Sequence, residues 1–247
     1  VNHTFAFSSE LRPLMLISEL DLEIDHASVA LYFLYRYVPH PRSILKNIYK
    51  LEPGKELNIS RDGQVKMREW YRWEVEPYEG KLSDQHFKTI CQPFKDQLCA
   101  SIERRLISDV PIGLFLSGGI DSGLVAAICS RSLGRSLKTF SFGSEDNPNA
   151  EHHVANQLSM SLGHDSNVYT ASRNDLVKSM MLCGEELDEP LGDRSLISQR
   201  LISSFARESV TVCLSGDGGD ELFGGYSRYQ NSLIKDVHRN HLFVDSF

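Results

Sequence analysis

The stretch Val110-Pro111-Ile112-Gly113-Leu114-Phe115-Leu116, followed at once by Ser117-Gly118-Gly119-Ile120-Asp121-Ser122, decides the fold class of this protein. A short apolar run between turn residues predicts a buried strand, and the paired glycines after it predict a sharp turn into a helix. The same order returns near the end of the chain, where the apolar run 210–214 leads into Ser215-Gly216-Asp217-Gly218-Gly219-Asp220-Glu221. We therefore expect two strands that each end in a glycine-rich acidic turn.

The segments between these two stretches alternate in the same way. A third apolar run, 137–142, predicts another strand, and helices are predicted over residues 122–132, 151–162 and 196–208, with Gly163 ending the second of them. Strands that alternate with helices are typical of an α/β fold, in which helices cover both faces of a parallel sheet. Ligands of such folds bind beyond the carboxyl ends of the strands, where both glycine-rich turns lie.

The first part of the chain has a different pattern. Asp62-Gly63 between residues 56–59 and 64–67 predicts a β-hairpin, and Asp25 is a suitable N-cap for a helix that runs to about Tyr35. This part is predicted to be an α+β segment without a catalytic cluster. The acidic, broken stretch 70–81 is typical of a linker, so we place two domains at residues 1–78 and 79–247.

A long helix is predicted directly after the linker. Apolar side chains recur there at steps of three and four residues, which is the spacing of one helix face: Phe87, Ile90, Phe94, Leu98, Ile102 and Leu106. Because proline lacks an N–H and clashes with the preceding turn, Pro93 is expected to kink this helix or to mark a late start.

Composition excludes several classes of protein. The 247 residues, 41% hydrophobic and 24% charged, can form a sizeable core, and a net charge of −7 without a basic cluster makes nucleic acid an unfavourable partner. Five cysteines, without CxxC spacing, are expected to be small buried hydrophobes in a reducing compartment. With neither an apolar run of about 18 residues nor a signal-peptide pattern, we expect a cytoplasmic protein without membrane contact.

The first glycine-rich turn has the residue types of an anion site. Its glycines present backbone N–H groups, the following helix adds its positive end, and Ser117 and Ser122 add hydroxyls, which suits phosphate. Asp121 would repel phosphate unless a cation lies between them, and Asp220 at the neighbouring strand end supplies a second carboxylate. We therefore predict a Mg-nucleotide site across both turns. Either turn alone would also suit an ordinary strand-to-helix connection.

The chain lacks both the GxxxxGK[ST] phosphate loop and the GxGxxG dinucleotide pattern. Its glycine-rich turns instead resemble a known family. SGGIDS at 117–122 is similar to the pyrophosphate loop of the N-type ATP pyrophosphatases. Three longer motifs resemble the synthetase domain of glutamine-hydrolysing asparagine synthetases: TFSFG at 139–143, DEP at 188–190 and SGDGGDELFGGY at 215–226.

The first part of the chain resembles the closing segment of that family's glutamine amidotransferase domain. The motifs are FAFSSELRPLM at 5–15, YRYVPHPRSI at 35–44 and KLEPGKEL at 50–57. The resemblance therefore covers nearly the whole chain. It implies a fold like that of the PP-loop adenine nucleotide hydrolases, preceded by part of an Ntn-hydrolase-like glutaminase.

The resemblance implies an enzyme that adenylates the side-chain carboxylate of aspartate with Mg-ATP and releases pyrophosphate. Ammonia derived from glutamine then displaces AMP to give asparagine. By motif position, the residues implied to hold the pyrophosphate portion of ATP are Ser117, Gly118, Gly119, Asp121 and Ser122. The implied Mg²⁺ ligands are Asp121 and Asp220.

Further roles follow from the same motif positions. Leu116 and Phe142 are implied to contact adenine and ribose, and Ser215 and Gly216 the nucleotide near its α-phosphate. The implied catalytic residues are Asp217, near the reacting carboxylate, and Tyr226, in the acceptor pocket. From its residue type alone, Tyr226 could equally be a packed aromatic whose hydroxyl is satisfied by the backbone. The adjacent His152 and His153 are expected to be surface residues.

Three features depart from the family pattern. The family's amidotransferase uses an N-terminal cysteine, whereas this chain begins with Val1 and its first cysteine is Cys91, so no residue is assigned that role. The chain ends at Phe247, where the family continues with a helical region, so an incomplete ATP-binding domain is expected. Arg194 and Arg200 lie in a segment that differs from the family motif, which leaves the acceptor carboxylate open.

Alternative functions stay open at this point. One is a related amidotransferase that acts on a β-lactam, sugar or peptide carboxylate, and another is a truncated nucleotide-binding chain without catalysis. A tRNA-modifying pyrophosphatase is disfavoured by the negative charge. The expected partners are small molecules, namely aspartate, ATP, and glutamine or ammonia, and a homodimer stays open.

Overall fold

The computed structural model of the chain describes residues 5–74, 83–145, 151–227 and 229. The predicted domain boundary between residues 78 and 79, and most of the predicted linker, lie outside these ranges. The chain forms two compact units. The first contains Val1–Lys81 and Met180–Ile197, and the second contains Leu82–Ser179 and Ser198–Phe247. The predicted division at residue 78 stays a prediction.

The first unit contains two helices and a hairpin. They are α1 (Leu11–Met15), α2 (His26–Tyr35), β1 (Lys55–Ile59) and β2 (Val65–Glu69). The Asp25 side chain accepts a hydrogen bond from the Ala27 N–H and so caps α2 as predicted. β1 and β2 pair antiparallel across the Asp62-Gly63 turn, with Ile59 opposite Val65, which confirms the predicted hairpin.

The second unit follows the predicted alternation of strands and helices. Its elements are α3 (Asp84–Arg105), β3 (Ile112–Phe115), α4 (Ile120–Ala127) with a π-helical turn at Ile128–Ser132, β4 (Lys138–Ser144), α5 (His152–Ser161), β5 (Asp165–Ala171), α6 (Arg173–Glu186), α7 (Ser195–Arg207), β6 (Val212–Leu214) and α8 (Gly219–Phe223). The chain enters the first unit within α6 and leaves it within α7. No helix in the described ranges is long and apolar enough to cross a membrane.

The four strands of the second unit form a parallel sheet in the order β5-β4-β3-β6. Chain order runs from β3 outward to β5 and then returns to place β6 on the other side of β3. The strand order therefore reverses between β3 and β6, and such a switch point opens a crevice at the carboxyl ends of the strands. Both glycine-rich turns follow these two adjacent strands.

Helices cover both faces of this sheet. Successive side chains of a strand point to opposite faces, and here they pack into two different hydrophobic clusters. Leu114 and Leu116 are buried with Ala126 of α4 and Ala155 of α5. Between them in sequence, Phe115 packs in the opposite cluster, whose buried members are Phe140, Ile202, Ala206 and Val210. The α/β class with a parallel, doubly covered sheet is confirmed.

Two features differ from the sequence expectations. β5 and α6 were not predicted; β5 lies at one edge of the sheet, and its identity depends on pairing with β4. Helix α3 begins at Asp84, nine residues before Pro93, so the late start is wrong. Ser83 caps that helix by accepting a hydrogen bond from the His86 N–H at 3.2 Å, and this cap fixes the early start.

Gly113 in β3 tests how tightly this core is packed. A β-carbon there would lie 2.6 Å from Phe140 Cε2 and 3.1 Å from Val210 Cγ2. We expect Gly113→Ala to lower the free energy of unfolding by about 1–3 kcal/mol, because an overpacked core must shift. The control is Gly184→Ala in α6, where a β-carbon meets nothing within 4 Å. Because glycine destabilises a helix interior relative to alanine, this variant should raise the free energy of unfolding by about 0.5–1 kcal/mol. Urea unfolding of both variants measures the difference; equal stabilities would contradict the tight packing.

Candidate functional site

An open cleft of about 1440 Å³ lies at the carboxyl ends of β3 and β6. Its polar side is formed by the two glycine-rich loops, and its apolar side by α3, α7 and the strand ends. The residues that line it are Phe87, Ile90, Cys91, Phe94, Phe115, Leu116, Ser117, Gly119, Ile120, Asp121, Ser122, Leu124, Phe140, Phe142, Glu151, Ser198, Gln199, Ile202, Ser215, Gly216, Asp217, Gly218, Asp220, Glu221, Phe223, Gly225 and Tyr226.

Hydrogen bonds to the hydroxyls of two serines hold the first glycine-rich loop in shape. Ser122 Oγ accepts a hydrogen bond from the Ser117 N–H at 3.2 Å, and Ser117 Oγ accepts one from the Gly119 N–H at 3.2 Å. Gly118 has a φ of +84°, and a β-carbon there would lie 2.8 Å from the carbonyl oxygen of Glu151. The N-cap of α4, Gly119, offers no capping side chain. The positive end of this helix therefore faces the cleft, as an anion site requires.

The second loop packs directly on the start of α4. A β-carbon at Gly216 would lie 2.6 Å from the Ser122 nitrogen, and one at Gly219 would lie 2.5 Å from Asp121 Cγ. Only glycine permits this approach, which seats the Asp121 carboxylate against the turn that carries Asp220. The Asp220 carboxylate in turn lies against Gly225. The two loops therefore form one continuous surface.

Other carboxylates of the second loop are held by local hydrogen bonds. Asp217 Oδ2 accepts a bond from Ser215 Oγ at 3.0 Å, and Ser215 Oγ accepts one from the Asp217 N–H at 3.3 Å. Tyr226 donates its hydroxyl hydrogen to Glu221 Oε1 at 2.8 Å. Tyr226 is thus held by a side chain of the cleft wall. The alternative of a hydroxyl satisfied by the backbone does not describe this bond, and the predicted catalytic role stays a prediction.

These residues fit a nucleotide with a divalent cation. A glycine-rich cradle at a helix N-terminus suits phosphate, and Mg²⁺ is commonly bound by one or two carboxylates together with phosphate oxygens. Asp121 and Asp220 are two such carboxylates on one wall of the cleft. Within the part of the chain that the structure describes, no three His, Cys, Asp or Glu side chains form a metal cluster of their own.

Most of the site residues predicted from the sequence lie in this cleft. Of the predicted site residues, all but Gly118 line it, and Gly118 instead packs on the start of α5. The N–H of Leu116 already donates to the Phe140 carbonyl at 2.9 Å, and Ser141 Oγ donates to the Leu116 carbonyl at 2.8 Å. Both backbone groups of Leu116 are therefore already hydrogen-bonded, and its side chain is buried in the core, so its contact with a nucleotide stays a prediction. Arg194 and Arg200 are not among the lining residues.

Sequence reasoning missed the apolar wall of the cleft. Phe87, Ile90 and Phe94 of α3 line it, and Phe94 meets Phe223 edge to face with ring centroids 5.4 Å apart. The helical stripe was visible, but a stripe at this spacing normally packs into a core. Ser198 and Gln199 lie in the segment that differs from the family motif, and Glu151 had been noted only as the start of a predicted helix.

His152 was expected to be a surface residue, but the structure shows that it is buried. His152 is only 9% exposed. Its ring lies so close to Gly143 that a β-carbon added to Gly143 would be 2.7 Å from His152 Nδ1. Among the described residues, Nδ1 has no hydrogen-bond partner. Gly143 makes room for the ring, so the burial depends on a residue nine positions earlier in the chain. His153 stays exposed, as expected.

This burial predicts a pH dependence of stability. Burial, with repulsion from His153 added, lowers the pKa of His152 from its ordinary value of 6.5. The unfolded chain therefore binds a proton that the folded protein does not, and stability falls as the pH drops below 6.5. We expect His152→Asn to flatten the decline of Tm between pH 6.5 and about 5. His26→Asn, at the exposed first position of α2, is the control; identical pH profiles for wild type and His152→Asn would contradict the assignment.

The switch point and the two glycine-rich loops with their carboxylates define an α/β domain whose cleft at the strand ends has the residue types of an anion site. Comparison with known proteins narrows this class. Residues 93–242 match the family described as asparagine synthase, and residues 1–71 match a glutamine amidotransferase domain. Since the first match covers more than half of the chain, this chain belongs to the asparagine synthase family. The resemblance stated from its motifs is confirmed.

Individual relatives agree with the family. The chain is 32% identical over 233 residues to the glutamine-hydrolyzing asparagine synthetase 1 of Bacillus subtilis (strain 168), a match covering 94% of this chain and 36% of that protein. It is 35% identical over 238 residues to a Methanocaldococcus jannaschii relative, covering 95% of this chain and 45% of that protein. The chain thus spans less than half the length of either relative.

A solved structure is also similar. It is the NH3-dependent NAD synthetase from Campylobacter jejuni, with 22% sequence identity and a TM-score of 0.39, and the match covers 55% of this chain and 60% of that one.

Proposed function

We propose that this chain carries the nucleotide-binding core of an ATP-dependent ligase that forms an amide on the side chain of aspartate, with nitrogen from glutamine. The observation that carries the proposal is the seating of Asp121 against the second glycine-rich loop. This contact joins an anion cradle to two carboxylates at the switch point of a parallel sheet. Family membership supports the ligase class, and the match of residues 1–71 supports glutamine as the nitrogen source.

The reaction assigned to the cleft has two steps, with ATP as a substrate. An oxygen of the aspartate side-chain carboxylate attacks the α-phosphorus, and the bond to the β-phosphate oxygen breaks, so that pyrophosphate leaves with the electron pair. Ammonia then attacks the acyl carbon and loses a proton, and AMP leaves with the electrons of the acyl C–O bond. The products are asparagine, AMP and pyrophosphate.

The residues of the chain take positioning and electrostatic roles in these steps. The Ser117 and Ser122 hydroxyls and the first-turn N–H groups of α4 would bind the departing pyrophosphate. Asp121 and Asp220 would hold Mg²⁺, which neutralises phosphate charge when bound. Because Asp217 Oδ2 accepts a hydrogen bond from Ser215, we assign Asp217 Oδ1 as the atom that takes the proton from ammonia.

The test measures pyrophosphate release by the chain extended at both ends to the length of its relatives. ATP, Mg²⁺ and ammonia are supplied with aspartate, with glutamate, with other amino acids or with no acceptor. We expect release that requires aspartate, with AMP and asparagine formed in equal amounts. Release that requires another carboxylate would transfer the proposal to a related amidotransferase, and failure of the extended chain to bind ATP would overturn it.

A further inference from the structure

The Asp188-Glu189-Pro190 segment has a role that the cleft does not explain. None of the three residues lines the cleft. They belong by sequence to the range 93–242 that matches the asparagine synthase family. In space, however, they lie in the first compact unit, with the residues that match the amidotransferase domain.

Arg12 holds Asp188 through two hydrogen bonds and the adjacent backbone through a third. Its backbone N–H donates to Asp188 Oδ2 at 2.8 Å, and its Nε donates to Oδ1 at 2.9 Å. Its Nη2 donates to the Glu185 carbonyl at 2.7 Å. The bond from the Arg12 backbone, reinforced by its guanidinium, lowers the pKa of Asp188 below the ordinary value. The Asp188 side chain is 17% exposed, so the ion pair is partly buried, and its two carboxylate oxygens accept from the backbone N–H and the Nε of Arg12.

Glu189 is held in the same manner by different residues. Its Oε1 accepts a hydrogen bond from the Ile44 N–H at 2.6 Å, and its Oε2 pairs with Lys50 Nζ. Three residues further on, the Gly192 N–H donates to the Arg36 carbonyl at 2.7 Å. The segment is therefore attached at each end and in the middle.

The partners fall where the amidotransferase resemblance is strongest. Arg12 lies in the motif at 5–15, Arg36 and Ile44 in the motif at 35–44, and Lys50 in the motif at 50–57. All three motifs thus supply a partner to one short segment of the synthetase match. An isolated surface ion pair contributes little, but carboxylates that also bind backbone N–H groups fix a loop in one position.

We propose that Asp188 and Glu189 are positioning residues that couple the two halves of the reaction. They attach a segment of the synthetase region to the amidotransferase motifs, so that ammonia from glutamine is delivered to the activated carboxylate and is not lost to water. This inference rests on the proposed function and deepens it. It assigns neither carboxylate to the chemical steps, because neither lines the cleft.

The test compares two nitrogen sources in the extended protein. Arg12→Met and Glu189→Gln are assayed for pyrophosphate release with glutamine and with ammonia, and the glutamate formed from glutamine is measured. We expect Arg12→Met to lower glutamine-dependent release about tenfold and to leave ammonia-dependent release within about twofold, because misplacement harms delivery and not the cleft. The ratio of glutamate to pyrophosphate should rise well above that of wild type.

Conservative and control variants complete the design. Arg12→Lys keeps the charge but not the planar group that donates to both Asp188 and the Glu185 carbonyl, and it should recover part of the coupling. Glu23→Gln, which breaks the exposed Lys46–Glu23 pair of the same unit, should match wild type. A parallel loss with both nitrogen sources would show a structural role and overturn the inference, as would an unchanged ratio in an active enzyme. If wild type releases no pyrophosphate with either source, the proposed function fails first, and the inference fails with it.

Discussion

Asp121→Asn is expected to lower ATP-dependent pyrophosphate release by the extended protein by at least about 100-fold, because an amide is a poor ligand for Mg²⁺ beside phosphate. The Asp121 carboxylate lies against Gly219, next in sequence to the second proposed ligand, Asp220. Asp121 would therefore hold Mg²⁺ together with Asp220, and the ion would supply charge neutralisation for the phosphates. Raising the Mg²⁺ concentration should restore part of the activity, which separates a lost ligand from a damaged fold.

Asp84→Asn is the matched control for this variant. Asp84 also lies in the first turn of a helix, α3, but it is exposed and does not line the cleft. Both variants lose a favourable interaction between a carboxylate and a helix dipole, and this interaction contributes about 0.3–1 kcal/mol to stability. Only Asp121→Asn should lose activity and require more Mg²⁺. Equal activity of the two variants would exclude Asp121 as a metal ligand.

Gly216→Ala is expected to weaken ATP binding by about 100-fold, because a displacement of about 1 Å in a positioning element has effects of that size. Its β-carbon would lie 2.6 Å from the Ser122 nitrogen and 3.0 Å from the Asp121 carbonyl carbon. Both atoms are helix backbone, so the two loops must separate. Isothermal titration of the variant with Mg-ATP measures the change in Kd.

Gly123→Ala is the control for this second prediction. Gly123 lies in α4, and its β-carbon would meet only Leu158 Cδ2, at 3.1 Å. That atom is the end of a flexible side chain, which can move aside. Gly123→Ala should therefore bind ATP within about threefold of wild type. Wild-type affinity in Gly216→Ala would show that the contact between the loops is not needed for binding.

Much of the second unit follows from local pattern. Apolar runs bounded by turn residues marked β3, β4 and β6, because the inner strands of a parallel sheet are largely apolar. β4 also buries Thr139 and Ser141, whose hydroxyls are hydrogen-bonded. The glycine-rich turns were informative for a similar reason, since their chemistry is carried by backbone groups and nearby carboxylates. The edge strand β5 was missed because it has no such run, and its burial pattern arises only when it pairs with β4.

Other features depended on residues far apart in the chain. Asp188 and Glu189 looked like loop residues before a proline, and the partner of Asp188 lies 176 positions away. The burial of His152 depended on the space left by Gly143. The apolar face of α3 was recognisable as a stripe, but periodicity does not distinguish a core contact from the wall of a cleft.

The sequence by itself determined the family, the parallel sheet and the residues of the two glycine-rich loops, because motifs and apolar runs are local properties of the chain. The adjacency of the two strands that carry these loops was expected and is confirmed, but the tertiary structure alone decided that Gly216 and Gly219 pack against α4. It also decided that Asp188 and Glu189 bind Arg12, Ile44 and Lys50 and do not line the cleft. The physical reason is that contact between loops and pairing of charges are set by packing across about a hundred residues or more, which no local pattern contains.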